Sequence, residues 1–282
     1  MIPLLLALGG VDLAGPLKYD KLGVELEGRR TPWKDVASIA ESDPANAAEA
    51  YAADVAKPEN AAAIGQLAGD SWNKEAIKRL KPVLDRRPPR TALRPPFEGR
   101  WRAFPDATGH HAQKCFALHA IDFVRVDDKG KLTGGAGKSL GDYHGYDQPV
   151  LAAAEGEVIQ AEDRFDDLPP GQLGKFDQAN FVTIKHSDEE FTFYGHVRKG
   201  SAAVKIGDKV AKGQAIARVG NSGASGTPHL HFTMLTPIRG GWISVPWRLH
   251  GFTLVEAGGT PCSVDARQAR PQEGWILVCP KP

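Results

Sequence analysis

The sequence predicts a mainly β protein, an antiparallel sandwich or barrel-like sheet preceded by a small helical N-terminal region. The chain contains 31 Gly and 21 Pro residues but only two Met, and frequent Gly and Pro punctuate short strands. Beyond about residue 100, short β-branched and aromatic runs alternate with glycine turns, whereas residues 33–87 show helical spacing. Together these patterns favour antiparallel sheets behind a helical segment.

Length and charge limit the classes of function. A chain of 282 residues can form one large domain with an appendage and bury a sizeable core. The 35 Lys and Arg residues nearly balance 34 Asp and Glu residues, for a formal charge of +1. This balance gives no reason to expect a nucleic acid or an anionic membrane as a partner. Neither the length nor the charge of the chain indicates its oligomeric state.

The most apolar stretch, residues 1–10, is too short to span a bilayer, so no transmembrane segment is predicted. It fits the apolar region of a secretory signal, although a buried N-terminal strand fits equally well. The first interpretation predicts export to the periplasm, the cell envelope or the medium. In an exported protein, Cys262 and Cys279 could pair, which would leave Cys115 as a free, buried thiol.

The N-terminal region, residues 1–100, is predicted to be helical and to end in a stiff linker. Asp43 and Pro44 form a start signal before an Ala-rich segment, and a second segment begins near Pro58. A third segment carries Ile77, Leu80 and Leu84 at helical spacing, with Pro82 as a possible kink. Residues 86–96 are rich in Pro and Arg, which predicts a non-helical linker and a domain boundary near residue 100.

The second region, residues 101–282, shows strand patterns. Residues 150–159 are predicted to form a strand, a tight turn and a strand, and residues 181–186 and 190–197 a hairpin. Residues 204–216 contain two glycine turns between β-branched pairs, and residues 125–149 are typical of an inserted loop. Residues 238–282, which include three Trp, are expected to add strands and an apolar flank.

Two histidines in one strand are the clearest chemical signal. In the run His229-Leu230-His231-Phe232, alternation places both imidazoles on one face, with Cα atoms about 7 Å apart, and turns the other two side chains toward the core. The pair could be two surface residues, two metal ligands, or a ligand beside a catalytic group. Asp122 alternates with apolar residues in the same way, and such an acid needs a partner.

Five sequence blocks resemble the M23 (LytM/lysostaphin-type) family of zinc metallopeptidases. In order along the chain they contain His110, His111 and Asp122; residues 149–158; His196; residues 206–214; and His229 with His231. The similarity covers about residues 104–237, nearly all of the β region. Several blocks in one order are far more specific than any single block.

The resemblance implies a zinc endopeptidase that hydrolyses stem peptides or cross-links of bacterial peptidoglycan. It implies that Asp122 and His231 bind Zn2+ together with an upstream histidine, and that His196 and His229 are catalytic residues. Zinc lowers the pKa of bound water to about 7, and neighbouring histidines can transfer protons near neutral pH. The alternative is a non-catalytic relative that binds peptidoglycan or activates another hydrolase; such relatives usually lack part of this set.

The first zinc ligand departs from the simplest family pattern, in which a histidine stands four residues before the aspartate. Leu118 occupies that place here, and His119, three residues before Asp122, would point to the opposite face of a regular strand. Family members with a longer spacing have a hairpin inserted before the aspartate, and this chain resembles them. We therefore predict His111 as the first ligand, with His110 as the alternative.

Overall fold

A computed structural model describes residues 18–20, 23–26, 29–32, 53, 55–69, 73–87, 89–105, 110–238, 241–255, 261–262, 271 and 275–279. Strands β1–β8 are Lys18–Asp20, Gly23–Leu26, Arg29–Pro32, Gly99–Phe104, Ile121–Arg125, Pro149–Leu151, Gly156–Glu162 and Phe181–Lys185. Strands β9–β16 are Phe191–Gly195, Lys209–Val210, Ala215–Arg218, Leu230–Ile238, Gly241–Val245, Thr253–Val255, Pro261–Cys262 and Ile276–Cys279. Helices α1 and α2 are Pro58–Gly69 and Lys74–Leu84.

One large antiparallel sheet dominates the described part of the chain. Its strand order is β10-β7-β8-β9-β12-β5-β4-β16-β14-β15, and β13 pairs with β12 beyond the end of β5. Strands β6 and β11 form a separate pair, and β1 to β3 form a small N-terminal sheet. The predicted fold class, mainly β and antiparallel with a small helical part before it, is confirmed. The small N-terminal sheet was not predicted.

Alternation in the central strands builds the core and presents polar groups on the opposite face. In β12, Leu230 and Phe232 are fully buried, and Ile121 and Phe123 of β5 are equally buried. The residues between them, Asp122 and His231, therefore project to the other face. This is the arrangement that the sequence pattern predicts.

The two helices begin and end as local sequence dictates. Pro58 occupies the first position of α1, where its missing N–H costs nothing. The Asn73 side chain accepts a hydrogen bond from the Ala76 N–H at the start of α2, and Pro82 is tolerated close to the end of that helix.

The predicted apolar N-terminal stretch and most of the first predicted helical segment lie outside the described residues. Within the described ranges, neither helix has the length and apolar composition that crossing a bilayer requires.

Helix α2 and the following segment share their core with the large sheet. Leu80 of α2 and Leu93 and Phe97 of the segment are fully buried in the same hydrophobic cluster as Trp101 and Phe123. The Phe97 ring stacks on Trp101 at 4.7 Å between centroids. The domain boundary near residue 100 stays a prediction, and extensive apolar packing crosses it.

A buried ion pair reinforces this packing. The Arg87 guanidinium lies 2.9 Å from Oε1 of Glu190, and both side chains are almost inaccessible to solvent. The same carboxylate accepts the backbone N–H groups of Arg90 and Thr91. The predicted linker is therefore fixed to the start of β9.

Several strand pairings differ from the simplest interpretation of the sequence. Strands β6 and β7 do not pair across their turn; β6 pairs with β11, and β7 pairs with β8 and β10. The predicted hairpin of β8 and β9 is confirmed.

Cys279 is a free, buried thiol, so the disulfide with Cys262 that we considered is not formed, and Cys115 is free and buried as expected.

Candidate active site

Strand register brings the candidate residues to one place. Asp122 of β5 lies directly opposite His231 of β12, and Gly195 of β9 lies opposite His231 on the other edge. His196 follows immediately as the chain leaves β9, and His229 immediately precedes β12. Three adjacent strands thus contribute to one cluster.

The Asp122 carboxylate is the centre of this cluster. Its Oδ1 lies 2.9 Å from Nδ1 of His231 and 3.5 Å from Nε2 of His229. Its Oδ2 lies 3.4 Å from Nε2 of His111 and 3.8 Å from Nε2 of His110. One carboxylate, 15% exposed, therefore faces four imidazoles.

His111 and His110 differ in how firmly they are held. His111 begins a short 3-10 helix, His111–Gln113, and its side chain is 1% exposed, against 59% for His110. The Nδ1 atom of His111 lies 3.0 Å from the carbonyl oxygen of Pro105. A carbonyl only accepts, so Nδ1 carries the proton, and in the neutral ring Nε2 presents its lone pair toward Asp122. This is the tautomer that an Nε2 metal ligand needs.

His196 and His229 form a pair on another side of the cluster. Their ring centroids are 4.6 Å apart, and the His196 ring lies 5.9 Å from that of His231. His196 has a φ of 60°, a left-handed conformation that non-glycine residues rarely adopt and that is frequent at functional sites. Its Nδ1–H donates to the carbonyl of Ser222 at 2.8 Å. His229 donates similarly to Thr227 at 2.8 Å, so both rings in their neutral form keep Nε2 as an acceptor.

The electrostatics of the cluster favour an ionised Asp122 beside neutral His196 and His231 rings. Burial alone would raise the pKa of Asp122, but the neighbouring imidazoles of His229, His111 and His231 outweigh it and hold that pKa well below its usual value. Burial, together with the positive charges of His229 and His231, holds the pKa of His196 well below its usual value. Burial also lowers the pKa of His231. A carboxylate beside neutral imidazoles is the protonation state that binds a metal cation.

Four residues of the cluster, His110, His111, His196 and His231, line a groove of about 550 Å³. Aromatic and aliphatic side chains form most of its walls, contributed by Phe116, Phe176, Phe181, Phe193, Leu235 and Trp242. Lys114 and Asp177 are charged residues of the lining, and Leu67 of α1 reaches it as well. A mostly apolar cleft with a few converging polar groups is the usual form of a ligand site.

The structure thus brings together all six residues that sequence analysis singled out: His110, His111, Asp122, His196, His229 and His231. Their individual roles stay predictions. His119 lies in a turn before β5 and not in the strand, and its Nε2 lies 2.8 Å from Oδ1 of Asp85, which is not part of the cluster. Tyr194 belongs to the core, and its hydroxyl accepts the N–H of Ala153.

Lys114 and the aromatic walls of the groove are not predictable from the sequence patterns. No motif marks these residues, and loops distant in sequence bring them together. The spacing of Lys114, three residues after His111, was the only available signal.

Fold and site together define the class: an antiparallel β domain with a His and Asp cluster, suited to a divalent metal, in an open groove. Within that class, residues 142–241 match the family model described as Peptidase family M23. The resemblance to the M23 family inferred from the sequence blocks is thereby confirmed. The matched range includes His196, His229 and His231, whereas His111 and Asp122 precede it.

Individual relatives also match only part of the chain. The chain is 36% identical over 84 residues to an uncharacterized metalloprotease of Buchnera aphidicola, covering 30% of this chain and 19% of that protein. It is 30% identical over 138 residues to the peptidoglycan DD-endopeptidase ShyC of Vibrio cholerae, covering 46% and 29% respectively. These alignments span less than a third of either relative. The solved catalytic domain of lysostaphin from Staphylococcus simulans is 20% identical, covering 52% of this chain and 78% of that one, with a TM-score of 0.29.

Proposed function

We propose that this protein is a zinc-dependent endopeptidase that hydrolyses peptide bonds in stem peptides or cross-links of bacterial peptidoglycan. The observation that carries the proposal is the Asp122 carboxylate, held between His111 and His231 with His229 beside it in a groove. The match of residues 142–241 to the model of a peptidase family supports the reaction class. The similarity to a peptidoglycan DD-endopeptidase supports the substrate.

The donor set fits zinc. Imidazole nitrogens and carboxylate oxygens are the usual ligands of hydrolytic zinc sites, which take three protein ligands and keep one position open. One ligand atom from each of His110, His111 and Asp122 lies within 4.8 Å of the other two. We assign His111, Asp122 and His231 as the ligands, because His111 is the buried and oriented member of the His110–His111 pair. When bound, the ion would lower the pKa of a coordinated water to about 7 and polarise the scissile carbonyl.

His196 and His229 are the proposed catalytic pair. Each fixes its Nδ1–H on a backbone carbonyl, which leaves Nε2 to take a proton from the attacking water and return it to the leaving amine. Because burial lowers the pKa of His196, its ring is neutral near pH 7 and can act as an acceptor. The apolar groove would hold the peptide against these groups.

The proposed substrate implies a protein that works outside the cytoplasm, in the periplasm or cell envelope or as a secreted protein. A non-catalytic, peptidoglycan-binding role is the alternative. It is less favoured because the complete set of candidate ligands and catalytic histidines is present and convergent, whereas a binding module needs neither.

The decisive experiment measures zinc content and peptide release together. The purified protein should contain about one zinc ion per chain and release peptides from cell-wall sacculi, and His231→Ala should lose both properties. His250→Ala, outside the groove lining, is the matched control and should retain both. Equal peptide release by the His231→Ala variant would exclude this site.

A further inference from the structure

Buried hydrogen bonds hold the edge of the His229 ring that faces away from Asp122. Nε2 of His229 lies 3.5 Å from Oδ1 of Asp122. Its Nδ1 lies 2.8 Å from the carbonyl oxygen of Thr227 and 3.2 Å from the hydroxyl oxygen of Ser225. Ser225 is only 1% exposed, so its hydroxyl is shielded from water and bonds within the protein. The Ser225 side chain therefore belongs to the packing that orients the ring.

The direction of the Ser225 hydroxyl follows from its neighbours. Its Oγ lies 2.6 Å from Oδ1 of Asn221 and 3.0 Å from the carbonyl oxygen of Thr227. Nδ2 of Asn221 lies 2.7 Å from the carbonyl oxygen of Leu168. Because that carbonyl only accepts, the amide oxygen of Asn221 is the atom that faces Ser225. The single hydroxyl proton goes to this nearer acceptor, which leaves the lone pairs of Oγ for the Nδ1–H of His229.

Asn221 is itself held at its backbone and at its side chain. Its backbone N–H donates to Oδ1 of Asp167 at 2.7 Å, and its carbonyl accepts the N–H of Leu168 at 3.2 Å. Oδ2 of Asp167 in turn accepts the Tyr146 hydroxyl at 3.2 Å. Asn221 is fully buried, and a buried polar network whose members are paired is rigid. The amide of Asn221 is thus a fixed reference for the Ser225 hydroxyl.

The same segment also orients His196. The carbonyl of Ser222, the residue after Asn221, accepts the Nδ1–H of His196 at 2.8 Å. The chain from Asn221 to Thr227 therefore supplies acceptors for the Nδ1–H groups of both proposed catalytic histidines. The position of this segment, and not the strands alone, determines where the two Nε2 atoms point.

We propose that Ser225 and Asn221 are positioning residues for His229. The Ser225 hydroxyl, directed by the Asn221 amide, keeps the ring proton on Nδ1 and turns Nε2 toward the reaction centre. The inference rests on the proposed function, in which Nε2 of His229 exchanges protons with the attacking water and the leaving amine. Both side chains are buried behind the ring, so they act through His229 and not by contact with the substrate. Their loss should lower kcat and leave KM nearly unchanged.

Steady-state kinetics on cross-linked muropeptides, released from sacculi by a glycosidase, test this proposal. Ser225→Ala and Asn221→Ala should each lower kcat by about tenfold to 100-fold, because small misplacements of a reacting group are costly. Zinc content should stay at the wild-type level. Since both residues act through one chain of hydrogen bonds, the double variant should lose no more than the more affected single variant. Losses that multiply, or a raised KM with unchanged kcat, would overturn the proposal.

Thr192→Val is the matched control, because it deletes a fully buried hydroxyl that bonds with His186 and Tyr194. The next residue, Phe193, lines the groove, so strand alternation turns Thr192 to the opposite face of β9. We expect this variant to lose thermal stability but to retain wild-type kcat. A fall in kcat as large as that of Ser225→Ala would mean that any lost buried hydroxyl suffices, which would overturn the specific role.

Nitrogen-15 NMR of the histidine side chains locates the ring proton without requiring activity. At about pH 8, where imidazole side chains are generally neutral, wild-type His229 should carry its proton on Nδ1; His229→Gln assigns the signals. Ser225→Ala and Asn221→Ala should add a form with the proton on Nε2, and wild-type spectra in both would overturn the proposal. If the wild type cleaves no muropeptide, the proposed function fails, and this measurement still decides the role of the two residues.

Discussion

Asp122 and His231 face each other across the pairing of β5 with β12, with Oδ1 and Nδ1 2.9 Å apart. Both side chains point to the same face because the residues on either side of each are buried. The candidate site is therefore a product of strand register. A slip of one residue in either strand would turn one of these side chains into the core.

Asp122→Asn tests the proposed centre with almost no change in shape. The substitution removes the negative charge, so we expect zinc content to fall far below one ion per chain. Peptide release from sacculi should fall by about 100-fold or more. Asp128→Asn is the control, because the Asp128 side chain is 98% exposed. Full zinc occupancy in Asp122→Asn would contradict the assignment.

The two adjacent histidines should differ in zinc retention. His111→Ala removes a buried imidazole oriented by Pro105, so we expect loss of zinc, whereas His110→Ala removes a mostly exposed ring and should retain it. Metal analysis after dialysis measures the difference, and thermal denaturation checks that both variants fold. Retention by His111→Ala with loss by His110→Ala would reverse the assignment.

Gly195 provides space beside the His231 side chain. A Cβ at this position would lie 2.9 Å from the Phe193 ring and 3.3 Å from Cβ of His231. We expect Gly195→Ala to displace the imidazole and lower kcat/KM by about tenfold to 100-fold, since small misplacements of reacting groups are costly. Gly141→Ala, with open space around the new methyl group, should retain wild-type kinetics. Unaltered kinetics in Gly195→Ala would show that the strands absorb the methyl group.

Glu190 should make stability depend on pH. Burial raises the pKa of its carboxyl, but hydrogen bonds from Thr91, Arg90 and Arg87 outweigh this and lower the pKa below its usual 4.5. The stabilisation is therefore complete above about pH 4.5 and is lost as the pH falls through the lower, folded-state pKa. Urea unfolding of the wild type at a series of pH values should show this loss.

Glu190→Gln should remove that acid-dependent component. It leaves the buried Arg87 without its counter-charge, so we expect the free energy of unfolding at pH 7 to fall by about 3 kcal/mol. Glu189→Gln changes a neighbouring carboxylate that is 55% exposed, and its effect should stay within about 0.5 kcal/mol. Similar losses in the two variants would mean that the buried pair contributes little.

Local patterns were enough to predict much of the site. Side chains alternate between the two faces of a strand. The apolar residues on either side of Asp122 and His231 therefore indicate which face these two side chains occupy. The order of the sequence blocks then indicated the family. These features depend only on residues close together in the chain.

Long-range pairing limited the remaining predictions. The partner of β6 is β11 and not the adjacent β7, and turn residues carry no information about such a choice. The choice between His110 and His111 depends on a 3-10 turn and on the carbonyl of Pro105, which spacing cannot reveal. Lys114 and Phe176 meet only because two segments distant in sequence line one groove.

The packing of α2 and its following segment determines how far the polypeptide can be shortened. A version starting at residue 101 would lack Leu80, Leu93 and Phe97. Trp101 and Phe123, which pack in the same hydrophobic cluster, would then be exposed to solvent. It would also leave the buried Glu190 carboxylate without the Arg87 guanidinium, with which it forms an ion pair. We expect such a fragment to aggregate on expression, so the shortest well-behaved fragment should keep everything from the start of α1 onward.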